Sequence, residues 1–459
     1  GTFISVADGN WSNPATWDVN AVPTGGDNVT VAAHTVTLDA NGQAANNLTI
    51  QGSLEFGATP TTFNVNGNLT VEAGGEFLVF NGTTGKAIVV SGNIVNDGNI
   101  DLSIGATTTG SLTLNGTTVQ SITGSGTFAN NKIRNLIFSN TSTAIPNINW
   151  GFDDVSVEYN LTISNAKINL NGNKINYGVS ATSTGNTFAF TNGGFLNGTF
   201  SRWWTAGGTG YTTSGPTTIP TGAAGRYPFY SQTGEQRIFY IGRTTPTAGG
   251  KYAVTYNNAT TSTTGLSITD GAATITNRWD GNFVVTLDGT SPAAASNWVT
   301  MFTPGAFFTT ATGARVLGQN VALSGTHVNT SNAPYGQRSG VSTADLTSAT
   351  GLYLGVNAAD VPVVSIASGD WNSTSTWNGG VVPTCADVAV IANGHTVTSS
   401  TSGNFAKGVS IATGGTLVVS AGDLTVGCTL NNNTLANSGT LTVSGGLLAV
   451  NGNMIHNAA

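Results

Sequence analysis

Short apolar segments that recur about every 20 to 25 residues constrain the fold of this chain most. Asn68-Leu-Thr-Val follows Asn47-Leu-Thr-Ile by 21 residues, and Asn93-Ile-Val follows Asn68 by 25 residues. The side chains of each segment alternate between apolar and polar, and Gly or Asn-Gly separates many of the segments. This period matches one coil of a parallel β-helix, whose strands stack on those of the coil below. Aligned Asn and Thr side chains would then form hydrogen-bonded ladders.

A longer stretch occurs twice. Residues 7–37 read ADGNWSNPATWDVNAVPTGGDNVTVAAHTVT, and residues 367–398 read ASGDWNSTSTWNGGVVPTCADVAVIANGHTVT. A match this dense predicts two structural modules of the same kind, each opened by a cap. We call this sequence the duplicated stretch. The cap residues that it predicts are Trp11, Trp17, Asp27 and His34 in the first copy, and Trp371, Trp377, Asp387 and His395 in the second.

The composition is that of an extracellular all-β protein. Only 8% of the residues are charged, against roughly 25% in an average soluble domain, and no segment shows convincing helical periodicity. The net charge of −7 argues against nucleic-acid binding, which requires basic patches. No apolar run approaches the roughly 20 residues of a membrane-spanning helix.

The length and composition of the apolar segments change along the chain and predict three domains. Residues 1–195 and 361–459 carry the short repeated segments, so we expect a parallel β-helix, or solenoid, in both. Residues 196–360 have longer strands, more aromatic residues and loops rich in Thr, Pro, Gly and Ala, which is typical of an antiparallel β-sandwich. The expected fold is therefore all-β, with solenoid modules flanking a sandwich. The second solenoid shows no closing cap, so we expect an open end.

The duplicated stretch resembles the opening of solenoid modules in large secreted proteins of Bacteroidetes-type bacteria. The middle region, with Arg226-Tyr-Pro-Phe, Arg278-Trp279 and a closing Leu-Tyr-Leu-Gly, is similar to the sandwich modules that accompany them. The resemblance implies cell-surface display in adhesins or fibre-like assemblies. It supplies no catalytic residues.

The cap residues have two interpretations. His34 and His395 could bind a metal together with Asp27 and Asp387, but no second histidine lies close in sequence to either, so we expect a hydrogen-bonding role. The paired tryptophans are expected to form a packed lid rather than a ligand site. We expect no cofactor; calcium stays an alternative, because Asp and Asn are common in the turns although neither an EF-hand loop nor a Gly-Gly-x-Gly-x-Asp repeat is present.

Two further residue groups leave alternatives open. Cys385 and Cys428 form either a disulfide or a pair of buried free thiols. The aromatic residues of the middle region form either a sandwich core, which we favour, or a glycan-stacking platform. The glycan contacts would be Trp203, Trp204, Tyr211 and Tyr230.

We expect a structural protein, not an enzyme. Polysaccharide lyases with this fold need clustered carboxylates next to Lys or Arg. The richest acidic segment, Asp153-Asp154 with Glu158, has no basic residue beside it in the sequence. The favoured function is a surface filament subunit or a segment of a repetitive adhesin, which contacts copies of itself head to tail or neighbouring modules of a longer chain. The alternative is a glycan- or surface-binding adhesin module, and a lyase is third.

Overall fold

The computed structural model describes residues 1–79, 85–102, 110–210, 224–302, 314–328, 335–357, 362–428 and 434–456. About 54% of the protein is strand and 3% is helix, and a parallel β-solenoid of about 16 turns dominates the structure. The all-β class and the parallel solenoid predicted from the sequence are therefore confirmed.

The first solenoid is built from strands of two to twelve residues, because glycine and asparagine interrupt the apolar segments so often. In chain order its strands are β1 Thr2–Ile4, β2 Gly9–Asn10, β3 Asn28–Val31, β4 Thr35–Leu38, β5 Ala44–Ala45, β6 Leu48–Ile50, β7 Ser53–Phe56, β8 Thr62–Val65, β9 Leu69–Val71, β10 Glu76–Leu78, β11 Lys86–Val90, β12 Ile94–Asn96, β13 Asn99–Leu102, β14 Gly110–Leu114, β15 Gln120–Thr123, β16 Thr127–Phe138, β17 Ile148–Trp150, β18 Val155–Ser164, β19 Lys167–Asn169, β20 Lys174–Tyr177, β21 Thr187–Thr191, β22 Gly194–Leu196 and β23 Thr199–Trp204.

These strands stack in parallel on three faces. Face 1 has the order β1-β3-β6-β9-β12-β15-β17-β19-β22, and face 2 has the order β2-β4-β7-β10-β13-β16-β18-β20-β23. Face 3 contains β5, β8, β11, β14 and β21, and it shares the long strands β16 and β18 with face 2. Strand β16 shifts its register against β13 where Asn130 and Asn131 adopt φ angles of 57° and 53°, a conformation that asparagine tolerates better than most residues. It passes from face 2 to face 3 between Ile133 and Asn135.

The recurring asparagines Asn47, Asn68 and Asn93 form a hydrogen-bonded ladder along face 1. Leu48 pairs in register with Leu69, and Leu69 with Ile94. The Oδ1 atom of Asn47 accepts the Asn68 backbone N–H at 2.8 Å, and Asn68 accepts that of Asn93 at 2.8 Å. Each side chain therefore satisfies a backbone donor in the turn of the next coil.

A second ladder consists of glycines at a tight corner. A Cβ atom at Gly98 would lie 2.2 Å from the carbonyl oxygen of Gly75, and one at Gly126 would lie 2.2 Å from that of Gly98. A Cβ atom at Gly75 would likewise lie 2.3 Å from the carbonyl oxygen of Ile50. These glycines are required by the close approach of successive coils rather than by an unusual φ angle.

Antiparallel strands follow the first solenoid. They are β24 Arg226–Tyr230, β25 Gln236–Pro246, β26 Gly250–Asn257, β27 Ser262–Thr263, β28 Ile268–Asp270, β29 Ala273–Ile275, β30 Asn277–Trp279, β31 Asn282–Leu287, β32 Ala294–Phe302, β33 Arg315–Leu317, β34 Thr326–His327, β35 Tyr335–Val341 and β36 Tyr353–Val356, with a short α-helix at Thr343–Leu346.

Both large sheets run on from the solenoid into this antiparallel region. Face 1 continues through β24, β25, β32, β35 and β34, and face 2 continues through β26 and β31. The predicted boundary between residues 195 and 196 falls inside β22, and one hydrophobic cluster extends from Phe3 to Val356. The description of this region as a separate sandwich stays a prediction.

The second solenoid repeats the three faces of the first. Its strands are β37 Val363–Val364, β38 Gly369–Asp370, β39 Val388–Ile391, β40 Thr396–Ser399, β41 Asn404–Ala406, β42 Gly408–Ile411, β43 Thr416–Val419, β44 Asp423–Val426, β45 Thr434–Asn437, β46 Thr440–Val443, β47 Leu447–Val450 and β48 Asn453–His456. Face 1 is β37-β39-β42-β45-β48, face 2 is β38-β40-β43-β46, and face 3 is β41-β44-β47. Its buried residues, from Val363 to Leu435, form a hydrophobic cluster separate from the first.

Candidate functional site

The paired tryptophans pack inside each cap. Trp11 and Trp17 are buried, with ring centroids 4.9 Å apart in an edge-to-face arrangement, and Trp17 Nε1 donates to the Trp11 carbonyl at 2.9 Å. Trp371 and Trp377 repeat this geometry, with centroids 5.1 Å apart and the same hydrogen bond at 2.7 Å. A buried tryptophan removes up to roughly 250 Å² from water, so each contributes up to about 6 kcal/mol at ~25 cal/mol per Å².

The aspartates lock the Val-Pro-Thr turn. Asp27 Oδ2 accepts the backbone N–H of Thr24 at 2.8 Å and its hydroxyl at 2.6 Å. Asp387 Oδ2 accepts the same two groups of Thr384, at 2.9 and 2.6 Å. The two caps thus use an identical pair of hydrogen bonds to close this turn.

The histidines contact the serine that directly follows the first strand of each module. His34 Nδ1 lies 3.1 Å from Ser5 Oγ, and His395 Nδ1 lies 3.0 Å from Ser365 Oγ. Each serine oxygen also accepts a backbone N–H two or three residues before the histidine. No group of three or more His, Cys, Asp or Glu side chains arranged to hold a metal occurs in the described part of the chain.

Each cap covers the outer edge of its first strand. Ser5 forms an antiparallel bridge with Trp17, and Ser365 forms one with Trp377. On either side of the first bridge, Val6 N–H donates to Thr16 O and Asp18 N–H donates to Ile4 O, both at 2.9 Å. The backbone groups of Ile4 and Val6 that an added strand would use are therefore already hydrogen bonded within the cap.

A disulfide joins Cys385, in the second cap, to Cys428, which follows β44. In the first module Gly25 holds the position of Cys385, and the Asn66 side chain donates to the Gly25 carbonyl at 2.8 Å. The same two segments are thus linked covalently in one module and by a hydrogen bond in the other.

The predicted glycan platform does not form around Trp204 and Tyr230. Trp204 is buried, with its Nε1 3.2 Å from the Tyr227 hydroxyl, and Tyr230 is buried with its hydroxyl donating to Asn192 at 2.8 Å. Both side chains belong to the interior and cannot stack on a sugar. Trp203 is half-buried on the outer side of face 2, and Tyr211 lies outside the described residues.

A network of charges beside Trp203 links the solenoid to the antiparallel strands, and sequence reasoning missed it. Asp288 accepts from Lys251 Nζ at 2.8 Å and from Lys174 Nζ at 2.9 Å, and Lys174 also pairs with Asp154 at 2.9 Å. Burial alone would raise the pKa of Asp288, but the hydrogen bonds and charges of Lys251 and Lys174 hold that pKa below its usual value. Lys251 Nζ also lies 5.5 Å from the Trp203 ring centroid.

The acidic segment considered for catalysis is divided among ion pairs. Asp154 pairs with Lys174, and Glu158 lies 3.4 Å from Lys132 Nζ. Asp153 accepts the Lys174 backbone N–H at 2.8 Å. The basic partners come from neighbouring coils about 20 residues away, where linear sequence does not reveal them.

Comparison with known proteins gives one family match. The model of the G8 domain matches residues 16–126. This segment runs from the first cap through the first coils of the solenoid, and G8 domains are typically found in extracellular proteins. No curated protein and no solved structure matches the chain.

The first cap and the last described coil both expose large apolar side chains. On the cap, Val6 and Val19 are 53% and 51% exposed. On the last coil, Leu447 and Met454 are 60% and 56% exposed. The same two regions also expose Ile4, Val22, Val443 and Ile455. Among the described residues, no helix has the length and hydrophobicity of a membrane span.

Proposed function

We propose that this chain is a structural protein of the cell surface of Bacteroidetes-type bacteria, where it forms part of a filament or of a repetitive adhesin and contacts copies of itself head to tail. The G8 match and the long parallel solenoid support an extracellular structural role. The observation that carries the proposal is the exposure of apolar side chains on both the first cap and the last coil.

The two apolar surfaces differ, so one would bind the other in a heterologous contact. Such a contact generates a filament when its rotation does not close. Because the cap already uses the edge of β1, its side of the contact consists of side-chain packing rather than an added strand. Strands β46 to β48 lie at the surface of the last coil and supply the opposite side.

The expected contact is weak. Full burial of an aliphatic side chain stabilises by about 1.5–3 kcal/mol, so eight half-exposed side chains contribute about 6–12 kcal/mol. Association itself costs an estimated 4–15 kcal/mol. The gain and the cost are of similar size, and we therefore expect assembly at high local concentration, such as on a crowded cell surface.

Light scattering and negative-stain microscopy at increasing protein concentration test this proposal. We expect linear particles that lengthen with concentration, and their loss in the variants Leu447→Asp and Val19→Asp. Val119→Asp is the matched control, since Val119 is 43% exposed but lies on neither surface. A monodisperse monomer at every concentration, or an equal effect of all three variants, would contradict the proposal.

A second candidate, glycan binding, is favoured by one observation. Trp203 is half-buried beside Lys251, and an indole face next to polar groups is suited to sugar recognition. A glycan array with the wild-type protein and Trp203→Ala would decide this candidate. Binding that the substitution leaves unchanged would exclude Trp203 as the contact.

The proposed function includes neither catalysis nor a cofactor. Incubation with acidic polysaccharides should leave the polymer length unchanged, and a chelator of divalent cations should leave the melting temperature unchanged. Cleavage of a polysaccharide would favour the lyase alternative, and a lower melting temperature with chelator would reveal a calcium site.

A further inference from the structure

The second solenoid carries a regular array of hydroxyl side chains on the outer side of face 2. Thr396 pairs in register with Thr416, which pairs with Thr440. The column two residues further on contains two threonines and a valine, and the next column contains three serines. Three successive coils therefore read T-x-T-x-S, T-x-V-x-S and T-x-T-x-S. We call this array the hydroxyl lattice; it consists of Thr396, Thr398, Ser400, Thr416, Val418, Ser420, Thr440, Thr442 and Ser444.

The backbone fixes both spacings of the lattice. Neighbouring strands lie ~4.8 Å apart, and alternate residues along a strand lie ~6.6 Å apart. Val397 and Leu417, which separate the threonine columns, are fully buried, so the lattice residues face outward. Threonine has few χ1 rotamers, which limits the directions that its hydroxyl and methyl groups can take.

The nine lattice residues carry no charge, although Asp370 of β38 adjoins the lattice by pairing in register with Thr398. Within the described part of the chain, the threonine hydroxyls have no hydrogen-bond partner. Thr396, Thr440 and Thr442 are exposed, and the remaining two threonines are half-buried. None of these five hydroxyls is hydrogen bonded to another described residue. Two of the serines are engaged: Ser400 donates to Asp370, and Ser420 Oγ lies 3.4 Å from the Ser399 carbonyl. The threonines therefore present hydroxyl and methyl groups directly to water.

The first module shows that the fold does not require such an array. On its face 2, Thr35 pairs with Ser53, and Ser53 pairs with Glu76. Thr37 pairs with Glu55 and also donates its hydroxyl to that carboxylate at 3.0 Å. The same coil geometry thus carries charges in one module and a neutral lattice in the other.

We propose that the hydroxyl lattice binds the surface of ice crystals. Its two spacings are close to the oxygen repeats on the prism face of hexagonal ice, so water bound to the threonines is already arranged as in the crystal. The methyl groups between the hydroxyls favour an ordered layer over water bound individually, and no charge within the lattice imposes a different hydration geometry. This inference does not depend on the proposed assembly.

Ice-crystal growth in the presence of the full chain tests the proposal. We expect the wild-type protein to shape growing crystals into facets and to lower the freezing point below the melting point. Thr416→Tyr places a large ring on the middle coil of the lattice and should abolish both effects; tyrosine is favourable in strands, so the fold should persist. Thr398→Tyr is a second variant at another lattice position. The matched control is Thr35→Tyr, which changes the equivalent of Thr396 in the first module.

Each outcome is informative when circular dichroism shows that the variants are folded. Loss of ice shaping in both lattice variants, with retention in Thr35→Tyr, supports the proposal. Absence of ice shaping by the wild-type protein overturns it. Equal activity in the wild type and in either folded lattice variant also overturns it.

Discussion

The disulfide in the second cap should determine the stability of the second solenoid and leave the first unchanged. Replacing Cys385 and Cys428 together with serine releases a loop closed over 43 residues. The chain-entropy relation for a loop of this size gives about 4 kcal/mol. Since 1 kcal/mol shifts the melting temperature of a domain of up to about 100 residues by ~4–8 °C, we expect a decrease of roughly 15–30 °C.

Differential scanning calorimetry can resolve this effect, because the two hydrophobic clusters are separate and should unfold in separate transitions. Only the transition of the second solenoid should move in the double serine variant, and reduction of the wild-type protein should reproduce the shift. The matched control is Asn66→Ala, which removes the corresponding hydrogen bond to Gly25 in the first module. The loss of about 1 kcal/mol of stability should lower the melting temperature of the other transition. An unchanged second transition, or an equal shift of both, would refute the reasoning.

Three further predictions concern the ladders and the buried charges. Gly98→Ala should destabilise the first solenoid by at least 1–3 kcal/mol, because its Cβ meets backbone atoms, whereas Gly207→Ala, which meets nothing within 4 Å, should be neutral in urea denaturation. Asn68→Ala should cost about 0.5–1.5 kcal/mol by removing the hydrogen bond to the exposed backbone N–H of Asn93; a change below the error of the unfolding curve would count against the ladder. Burial alone would raise the pKa of Asp270, but hydrogen bonds from Arg338 and Arg315 more than offset this effect. The pKa of Asp270 in the folded protein therefore lies below its usual value. The stability that the ionised Asp270 carboxylate contributes is therefore present above about pH 4 and is lost as the pH falls through the pKa of the folded state. The variant Asp270→Asn should consequently lose less stability than the wild type between pH 7 and pH 3.

The solenoid was predictable because its determinants are local and repeated. The spacing of Asn47, Asn68 and Asn93 equals the length of one coil, and the structure pairs these positions on successive coils. The duplicated stretch likewise marked residues that lie close together in sequence and pack on each other, such as Trp11 and Trp17, six positions apart. Period and proximity in sequence are sufficient for both features.

Other features depend on partners that are distant in sequence. Lys174 meets Asp288 across 114 positions, and Arg338 meets Asp270 across 68. Nor does the sequence distinguish Trp203 from Trp204, because alternation along β23 decides which ring points inward and the register of that strand follows from its neighbours. The disulfide also depended on register, since the coil length brings Cys428 beside the cap.

The separation of the two hydrophobic clusters has a mechanical consequence. A protein under tension unfolds first in its least stable folded unit. Here the two solenoids are separate units, because the buried residues of one do not pack against those of the other. The covalent link from Cys385 to Cys428 prevents the segment between them from being fully extended, even after the strands around it have separated. A pull on this chain would therefore lengthen it in steps, with one folded unit still holding while the other yields.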